Sequence, residues 1–285
     1  MKNQRNRIEI DKISKQFKEN MVLKDIDLEI GSGEIFGLLG PSGAGKTTLI
    51  KILTGQLKQT SGSATIMGRS TEAIDDATYI KLGMVLDDSG LYERLSCYDN
   101  LAIIADIYGI QKSRITEVIT RVGMLDAWKR PVHKLSKGMK QRLVLARAIM
   151  HEPEILFLDE PTSGLDPATA VEIHKMILEQ KEKGRTIFLT THNMEEATKL
   201  CDNVALLYQG NIVEYGNPKE VCRKYNHQNK IRILRKTGET VILENGSESA
   251  EYISTLFRDN QVESIHSTEP NLENVFMELT GRGLE

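Results

Sequence analysis

The segment EIFGLLGPSGAGKTTL, residues 34–49, carries the strongest structural signal in this chain of 285 residues. Its apolar start predicts a buried strand, and its end predicts a helix. Between them, Gly40–Thr47 matches the pattern G-x-x-x-x-G-K-[ST], in which backbone N–H groups at a helix N-terminus surround phosphate oxygens. A glycine-rich turn without a ligand is the alternative, but the flanking strand and helix favour phosphate binding. The residues that we expect to contact a nucleotide here are Gly40, Pro41, Ser42, Gly43, Ala44, Gly45, Lys46, Thr47 and Thr48.

Two acidic residues end the apolar run ILFLDE at residues 155–160. A phosphate-binding loop needs a further acid to hold Mg²⁺, so we assign the ion to Asp159 and the Thr47 hydroxyl. Glu160 would then polarise the attacking water, and Lys46 would reach the β- and γ-phosphates. An acidic strand end at the surface is the alternative. If this strand lies next to the strand of the phosphate-binding loop, both acids lie at the carboxyl edge of the sheet, where ligands bind.

His192 ends a third apolar run, TIFLTTH at residues 186–192. A lone histidine is more often structural, but this one is expected at the same sheet edge as the phosphate-binding loop. Its ring N–H can donate a hydrogen bond to a phosphate oxygen. We therefore assign His192 to the γ-phosphate and count it, with Lys46 and Glu160, as catalytic.

Apolar strand patterns alternate with helical patterns along most of the chain, which predicts an α/β domain with a parallel sheet. Alternating residues in the first thirty positions predict an antiparallel β element, and the pattern at residues 92–150 predicts a helical insert. Residues 226–285 contain two strand-like runs and two amphipathic stretches, so we place a small C-terminal α+β domain there. Its final helix is expected to stop near Gly281.

The composition of the chain limits its partners. The formal net charge is −3, so no basic field favours nucleic acid. Three widely spaced cysteines form no metal or redox pair, and we expect them to be reduced. The basic N-terminal segment lacks the apolar region of a signal peptide, and no apolar run approaches the roughly 20 residues that span a bilayer. Any membrane role is therefore expected to depend on a partner protein.

The segment LSKGMKQR at residues 135–142 places a serine and a glycine where a helix begins. Together with the phosphate-binding loop, ILFLDEPTSGLDP and LTTH in this order, it resembles the nucleotide-binding subunit of an ABC transporter over about residues 5–225. The resemblance implies a P-loop NTPase cassette that binds ATP. It also implies that Ser136 and Gly138, in a segment similar to the family signature LSGGQ, contact the γ-phosphate of ATP on a second ATPase subunit, most simply in a homodimer. A helix N-terminus is a favourable anion site, which agrees with this assignment.

Three more assignments follow from the resemblance. Asp166, in SGLDP, would cross the dimer interface. Phe17 would stack on adenine, although a core aromatic at a strand end is the alternative. Asp87 lies where the family usually has a glutamine that contacts Mg²⁺. We assign Asp87 to the ion as well, because a carboxylate can bind it, although it cannot donate an N–H.

The C-terminal string PNLENVFMELTG, residues 270–281, resembles that of ABC-2 type exporter ATPases, including those for drugs, bacitracin and lantibiotics. Such systems often have a separate transmembrane permease, so the resemblance implies a peripheral subunit at the cytoplasmic face of the membrane. The rivals are a soluble ABC ATPase that acts on ribosomes or nucleic acid, and an import ATPase. The transported substrate, pairing with a sister ATPase and the role of the C-terminal domain, either regulation or packing, stay open.

Overall fold

The structure is a computed structural model that describes residues 6–86, 90–227, 230–267 and 269–281. The chain divides into two compact units, one that ends at Tyr215 and one that begins at Gly216. In the part of the chain that is described, no helix has both the length and the apolar composition of a membrane span.

The elements of the first unit follow the predicted alternation of strands and helices. Its strands are β1 (Asn6–Phe17), β2 (Asn20–Gly31), β3 (Ile35–Leu39), β4 (Ser61–Ile66), β5 (Arg69–Ser70), β6 (Leu82–Val85), β7 (Ile155–Asp159), β8 (Thr186–Thr191), β9 (Asn203–Tyr208) and β10 (Asn211–Gly216). Its helices are α1 (Lys46–Leu53), α2 (Asp76–Tyr79), α3 (Cys97–Tyr108), α4 (Ser113–Arg121), α5 (Lys137–Ile149), α6 (Pro167–Glu182) and α7 (Met194–Leu200).

A central sheet with the strand order β10-β9-β3-β8-β7-β6 organises this unit. The pairs among β9, β3, β8, β7 and β6 are parallel, and every residue of β3, β7 and β8 is buried. Phe36, Phe188 and Phe157 lie at one level of three neighbouring strands, with ring centroids 5.2 and 5.7 Å apart. Each buried phenylalanine contributes about 1.5–3 kcal/mol, so the sheet centre is a rigid base for the loops at its edge.

The strand order shows how the acidic strand lies relative to the phosphate-binding loop. The two strands are not adjacent, because β8 lies between β3 and β7. All three strands still end at the same carboxyl edge because they run parallel. The strand that carries His192 is therefore the direct neighbour of both.

The predicted antiparallel element is a second sheet with the order β2-β1-β4-β5. Alternate residues of its strands are buried, including Ile8, Ile10, Leu28 and Ile30. One face therefore packs on the core and the other is polar, as the sequence alternation predicts.

Helices fill the region between β6 and β7. Ser96 starts α3 with a capping box to Asp99, and Gly109 ends it in the left-handed conformation. The helices α3, α4 and α5 pack on one another, through buried residues such as Leu101 and Leu143. The α/β cassette with a helical insert is confirmed.

The second unit is a small α+β structure. It contains α8 (Pro218–Lys224), β11 (Lys230–Arg235), β12 (Thr240–Glu244), α9 (Ser247–Arg258), β13 (Val262–Ser267) and α10 (Leu272–Thr280). Its antiparallel sheet has the order β12-β11-β13, and α10 ends at Gly281 with φ 67°. The unit includes α8, so it begins before the domain boundary that we predict near residue 226, and that boundary stays a prediction.

Candidate functional site

The phosphate-binding loop joins the buried strand β3 to α1. Gly43 and Gly45 have φ angles of 80° and 112°, which favour glycine. Gly40 is required for another reason: a Cβ at that position would lie 2.3 Å from the carbonyl oxygen of Leu207. The loop therefore needs glycine at three positions, and it directs the N-terminus of α1 towards solvent-accessible space.

Lys46, the first residue of α1, is buried beneath this loop. Its Nζ donates hydrogen bonds to the carbonyl oxygens of Gly40 at 2.7 Å and Pro41 at 3.2 Å. It also lies 3.1 Å from Oε1 of Glu160, and the two side chains are only 7% and 19% exposed. Because water screens so enclosed a pair weakly, the attraction between the Lys46 amine and the Glu160 carboxylate is strong, and the amine lies directly beside the loop.

Thr47 and Asp159 form a second contact between the loop and the acidic strand. The Thr47 hydroxyl donates to Oδ2 of Asp159 at 2.7 Å. The hydroxyl of Thr190 on β8 donates to Oδ1 of the same carboxylate. Hydroxyl and carboxylate oxygens are ligands that hard cations such as Mg²⁺ prefer. Within the described residues no cluster of three or more His, Cys, Asp or Glu side chains could hold a metal.

The Glu160 carboxylate lies between the Lys46 amine and the His192 imidazole. Its Oε2 lies 2.7 Å from Nδ1 of His192, whose side chain is 50% exposed. Its backbone N–H donates to the carbonyl oxygen of Thr190 at 3.1 Å. Glu160 has φ 47°, a left-handed backbone that is rare outside glycine. The catalytic residues predicted from separate segments, Lys46, Glu160 and His192, are therefore in contact, and His192 is not a core histidine.

These groups line a cavity of ≈ 650 Å³. The predicted residues that line it are Ser42, Gly43, Gly45, Lys46, Thr47, Thr48, Asp159, Glu160 and His192. Sequence reasoning missed other lining residues, namely Val22, Leu86, Lys137, Gln141 and Ser163. Lys137 and Gln141 are four residues apart in LSKGMKQR and so share one helix face, a signal that could have identified them.

The segment at the start of α5 lies beside the loop that contains Asp166. Ser136 is the exposed N-cap of α5, and its hydroxyl accepts a hydrogen bond from the N–H of Met139. A Cβ on Gly138 would lie 2.8 Å from Cγ2 of Thr169. Thr169 also donates its backbone N–H and its hydroxyl to Asp166, at 3.0 and 2.7 Å. The backbone N–H and then the hydroxyl of Thr169 hold the pKa of the Asp166 carboxyl below its usual value.

Phe17 does not line this cavity. Phe17, at the end of β1, is 44% exposed, so it is not a core aromatic. The amine of Lys15 lies 4.8 Å from the centroid of its ring. Asp87 lies outside the described residues.

Comparison with known proteins places this geometry in a family. The family model described as ABC transporter matches residues 23–163. The chain is 39% identical to the fluoroquinolones export ATP-binding protein MT2762 of Mycobacterium tuberculosis, over 92% of this chain and 88% of that protein. It is 34% identical to the bacitracin transport ATP-binding protein BcrA of Enterococcus faecalis, over 97% of both chains.

A solved structure agrees with this placement. The structure of cbiO1 from Clostridium perfringens, part of the ABC transporter complex cbiONQ, matches with a TM-score of 0.68 and 30% identity. The match covers 78% of this chain and 94% of that one. The shared fold, the phosphate-binding loop and the large share of each chain that is matched all support the same family. The chain belongs to the ABC transporter family, as an ATP-binding and ATP-hydrolysing subunit.

Proposed function

We propose that the chain energises export by a separate transmembrane permease, to which it binds at the cytoplasmic face of the membrane. The names of two relatives support this direction, since one is a fluoroquinolones export protein and the other a bacitracin transport protein. Both match along most of their own length, including the C-terminal part of this chain. These relatives favour an exporter over an import ATPase and over an ABC ATPase that acts on ribosomes or nucleic acid.

The contact of Glu160 with both Lys46 and His192 is the observation that carries the proposed chemistry. A triphosphate in the loop would take the Lys46 cation as its own partner, because phosphate offers several charged oxygens to one amine. Glu160 would then be free to accept a proton from a water near the γ-phosphate. The His192 ring would donate a hydrogen bond to that phosphate and orient it.

Thr47 and Asp159 have the donor set that fits Mg²⁺, and the family assignment suggests Asp87 as a further ligand. When bound, the ion would neutralise charge on the β- and γ-phosphates. The hydrogen bond from Thr190 fixes the Asp159 carboxylate, so that its oxygens keep their orientation towards the loop.

A second copy of the chain completes the proposed site. Ser136 and Gly138 of that copy would contact the γ-phosphate, and Asp166 would lie at the interface. Phe17, exposed at the end of β1, would stack on the adenine ring. ATP would thus bridge two subunits, and its hydrolysis would remove the bridge and reset the permease. The net charge of −3 favours no nucleic-acid partner.

Mixing two inactive variants tests this composite site. Lys46→Ala should disable the phosphate-binding loop, and Ser136→Arg should disable the opposing helix tip. Each variant alone is expected to lack ATP hydrolysis. In an equimolar mixture that exchanges subunits, about half of the dimers are hybrid and each hybrid keeps one intact site, so about a quarter of the wild-type sites return. A mixture that stays inactive, while both variants remain folded and exchange subunits, would contradict a site that draws on two chains and works independently of its twin.

A further inference from the structure

A buried carboxylate lies beside the proposed active site without lining its cavity. Glu196, on α7, is four residues after His192 and is only 2% exposed. Its Oε1 accepts a hydrogen bond from the hydroxyl of Thr162 at 2.6 Å. The same oxygen lies 2.8 Å from Nε2 of His174 on α6. One oxygen therefore joins the segment after β7, the helix α6 and the helix α7.

The hydrogen bonds of Glu196 favour the charged form of its carboxyl despite its burial. Burial by itself raises its pKa, but the hydrogen bonds from His174 and Thr162 outweigh this effect and hold the pKa below its usual value. Burial of a charge is costly, and replacement of a buried ion pair by apolar groups is often neutral or stabilising. Stability alone is thus a weak reason for a glutamate at this position.

The position of Glu196 suggests another reason. Two loops leave the neighbouring strands β7 and β8, and one carries Glu160 while the other carries His192. The loops are joined directly by the contact of Glu160 with His192, at 2.7 Å. They are joined a second time, two and four residues further along, by the contact of Thr162 with Glu196.

The Glu196 side of this second contact is held in turn by hydrogen bonds to the end of β8. Asn193 caps α7 by accepting the backbone N–H of Glu196 at 3.0 Å. The backbone N–H of Asn193 in turn donates to the hydroxyl of Thr191 at 3.0 Å, at the end of β8. The hydrogen bonds of Glu160 with Thr190 and His192 join the loops at one point, and a second bond further along limits rotation about that point. Small errors in such orientation are costly in catalysis.

We propose that Glu196 is a positioning residue of ATP hydrolysis. It holds Thr162, and through it the loop of Glu160, at a fixed orientation to His192. The inference rests on the roles proposed above for Glu160 and His192. Because Glu196 does not line the nucleotide cavity, its loss slows the chemical step and leaves nucleotide binding unchanged.

Substitutions of Thr162 test the link with little change in volume. Thr162→Val removes the hydroxyl and is expected to lower kcat for ATP about fivefold to tenfold, with Kd for a fluorescent ATP analogue changed by less than about twofold. Thr162→Ser restores the hydroxyl and is expected to restore kcat.

The matched control is Thr198→Val, since the Thr198 hydroxyl donates to the carbonyl oxygen of Met194 on the same helix α7. The control is expected to keep the wild-type kcat. If the valine variant fails to fold, Thr162→Ala removes the same hydroxyl without adding a methyl group beside the carboxylate.

A double-variant cycle separates positioning from a structural role. If Thr162 acts through His192, then Thr162→Val has no further effect on kcat in a His192→Ala background. Any of three results would overturn the positioning role. These are the same loss of kcat in both backgrounds, a wild-type kcat in Thr162→Val, or a loss of affinity for the ATP analogue that matches the loss of kcat. A wild-type chain that binds ATP without hydrolysing it would overturn the proposed function as well. An active wild type with an equally active Thr162→Val variant would overturn only this inference.

Discussion

Replacement of Glu160 by glutamine tests the proposed chemistry most directly. The Glu160 carboxylate lies 3.1 Å from the Lys46 amine and 2.7 Å from Nδ1 of His192, and glutamine keeps its size but loses its charge. A neutral amide cannot accept a proton from the attacking water, so the chemical step slows. The phosphates of ATP also no longer compete with a carboxylate for Lys46, so ATP binding is expected to strengthen.

The two effects have different magnitudes and opposite directions. Loss of a general base is expected to lower kcat by about 10²- to 10⁴-fold, or about 3–5 kcal/mol on the barrier. Release of Lys46 is expected to lower the Kd for ATP roughly tenfold, or about 1.5 kcal/mol, because the two side chains are only 7% and 19% exposed. Phosphate release at saturating ATP gives kcat, and titration with a fluorescent ATP analogue gives Kd.

Glu154→Gln is the matched control. Glu154 precedes the opposite end of β7 and pairs with Arg7 at 2.8 Å and Lys81 at 2.9 Å. Its replacement also removes a partly buried carboxylate, but far from the loop, and kcat is expected to stay within about twofold. If Glu160→Gln retains a kcat within about tenfold of the wild type, Glu160 is not the base. A weaker affinity in that variant would refute the competition for Lys46.

Three further predictions concern binding, folding and pH. Lys46→Ala is expected to weaken ATP binding at least about tenfold in the same titration, because it removes the cation that the phosphates would contact, and an unchanged Kd would contradict this contact. Gly40→Ala is expected to lower the free energy of unfolding by about 1–3 kcal/mol in chemical denaturation, because its Cβ would lie 2.3 Å from the carbonyl oxygen of Leu207. Since Thr169 holds the pKa of Asp166 below its usual value, the Asp166 carboxylate contributes its full stabilisation above about pH 4 and loses it as the pH falls through the lowered pKa. Asp166→Asn should therefore reduce the loss of stability below about pH 4 in acid unfolding, and an unchanged acid midpoint would contradict the assignment.

Local signals made most of the fold predictable. The phosphate-binding loop follows from glycine positions within eight consecutive residues, and the buried strand β3 follows from its apolar run. The strand β13 was missed because its sequence, VESIHS, is mostly polar and exposed. The strand β6 has only four residues, which are too few to show a clear alternation of apolar and polar side chains.

Contacts between distant segments were less predictable. The sequence placed Asp159, Glu160 and His192 at one sheet edge, but the insertion of β8 between β3 and β7 is a matter of tertiary packing. Thr190 was missed for the same reason. A threonine in an apolar strand is ordinary, and only the register that pairs it with Asp159 gives its hydroxyl a role.

The left-handed backbone at Glu160 has a consequence for engineering. A side chain in that conformation costs about 1–2 kcal/mol relative to glycine. Substitution by glycine would therefore relax the turn, but it would also remove the carboxylate that pairs with the buried Lys46 amine. The relief of backbone strain and the loss of this partner oppose each other, so the left-handed backbone alone does not make Glu160 a site for stabilising substitution.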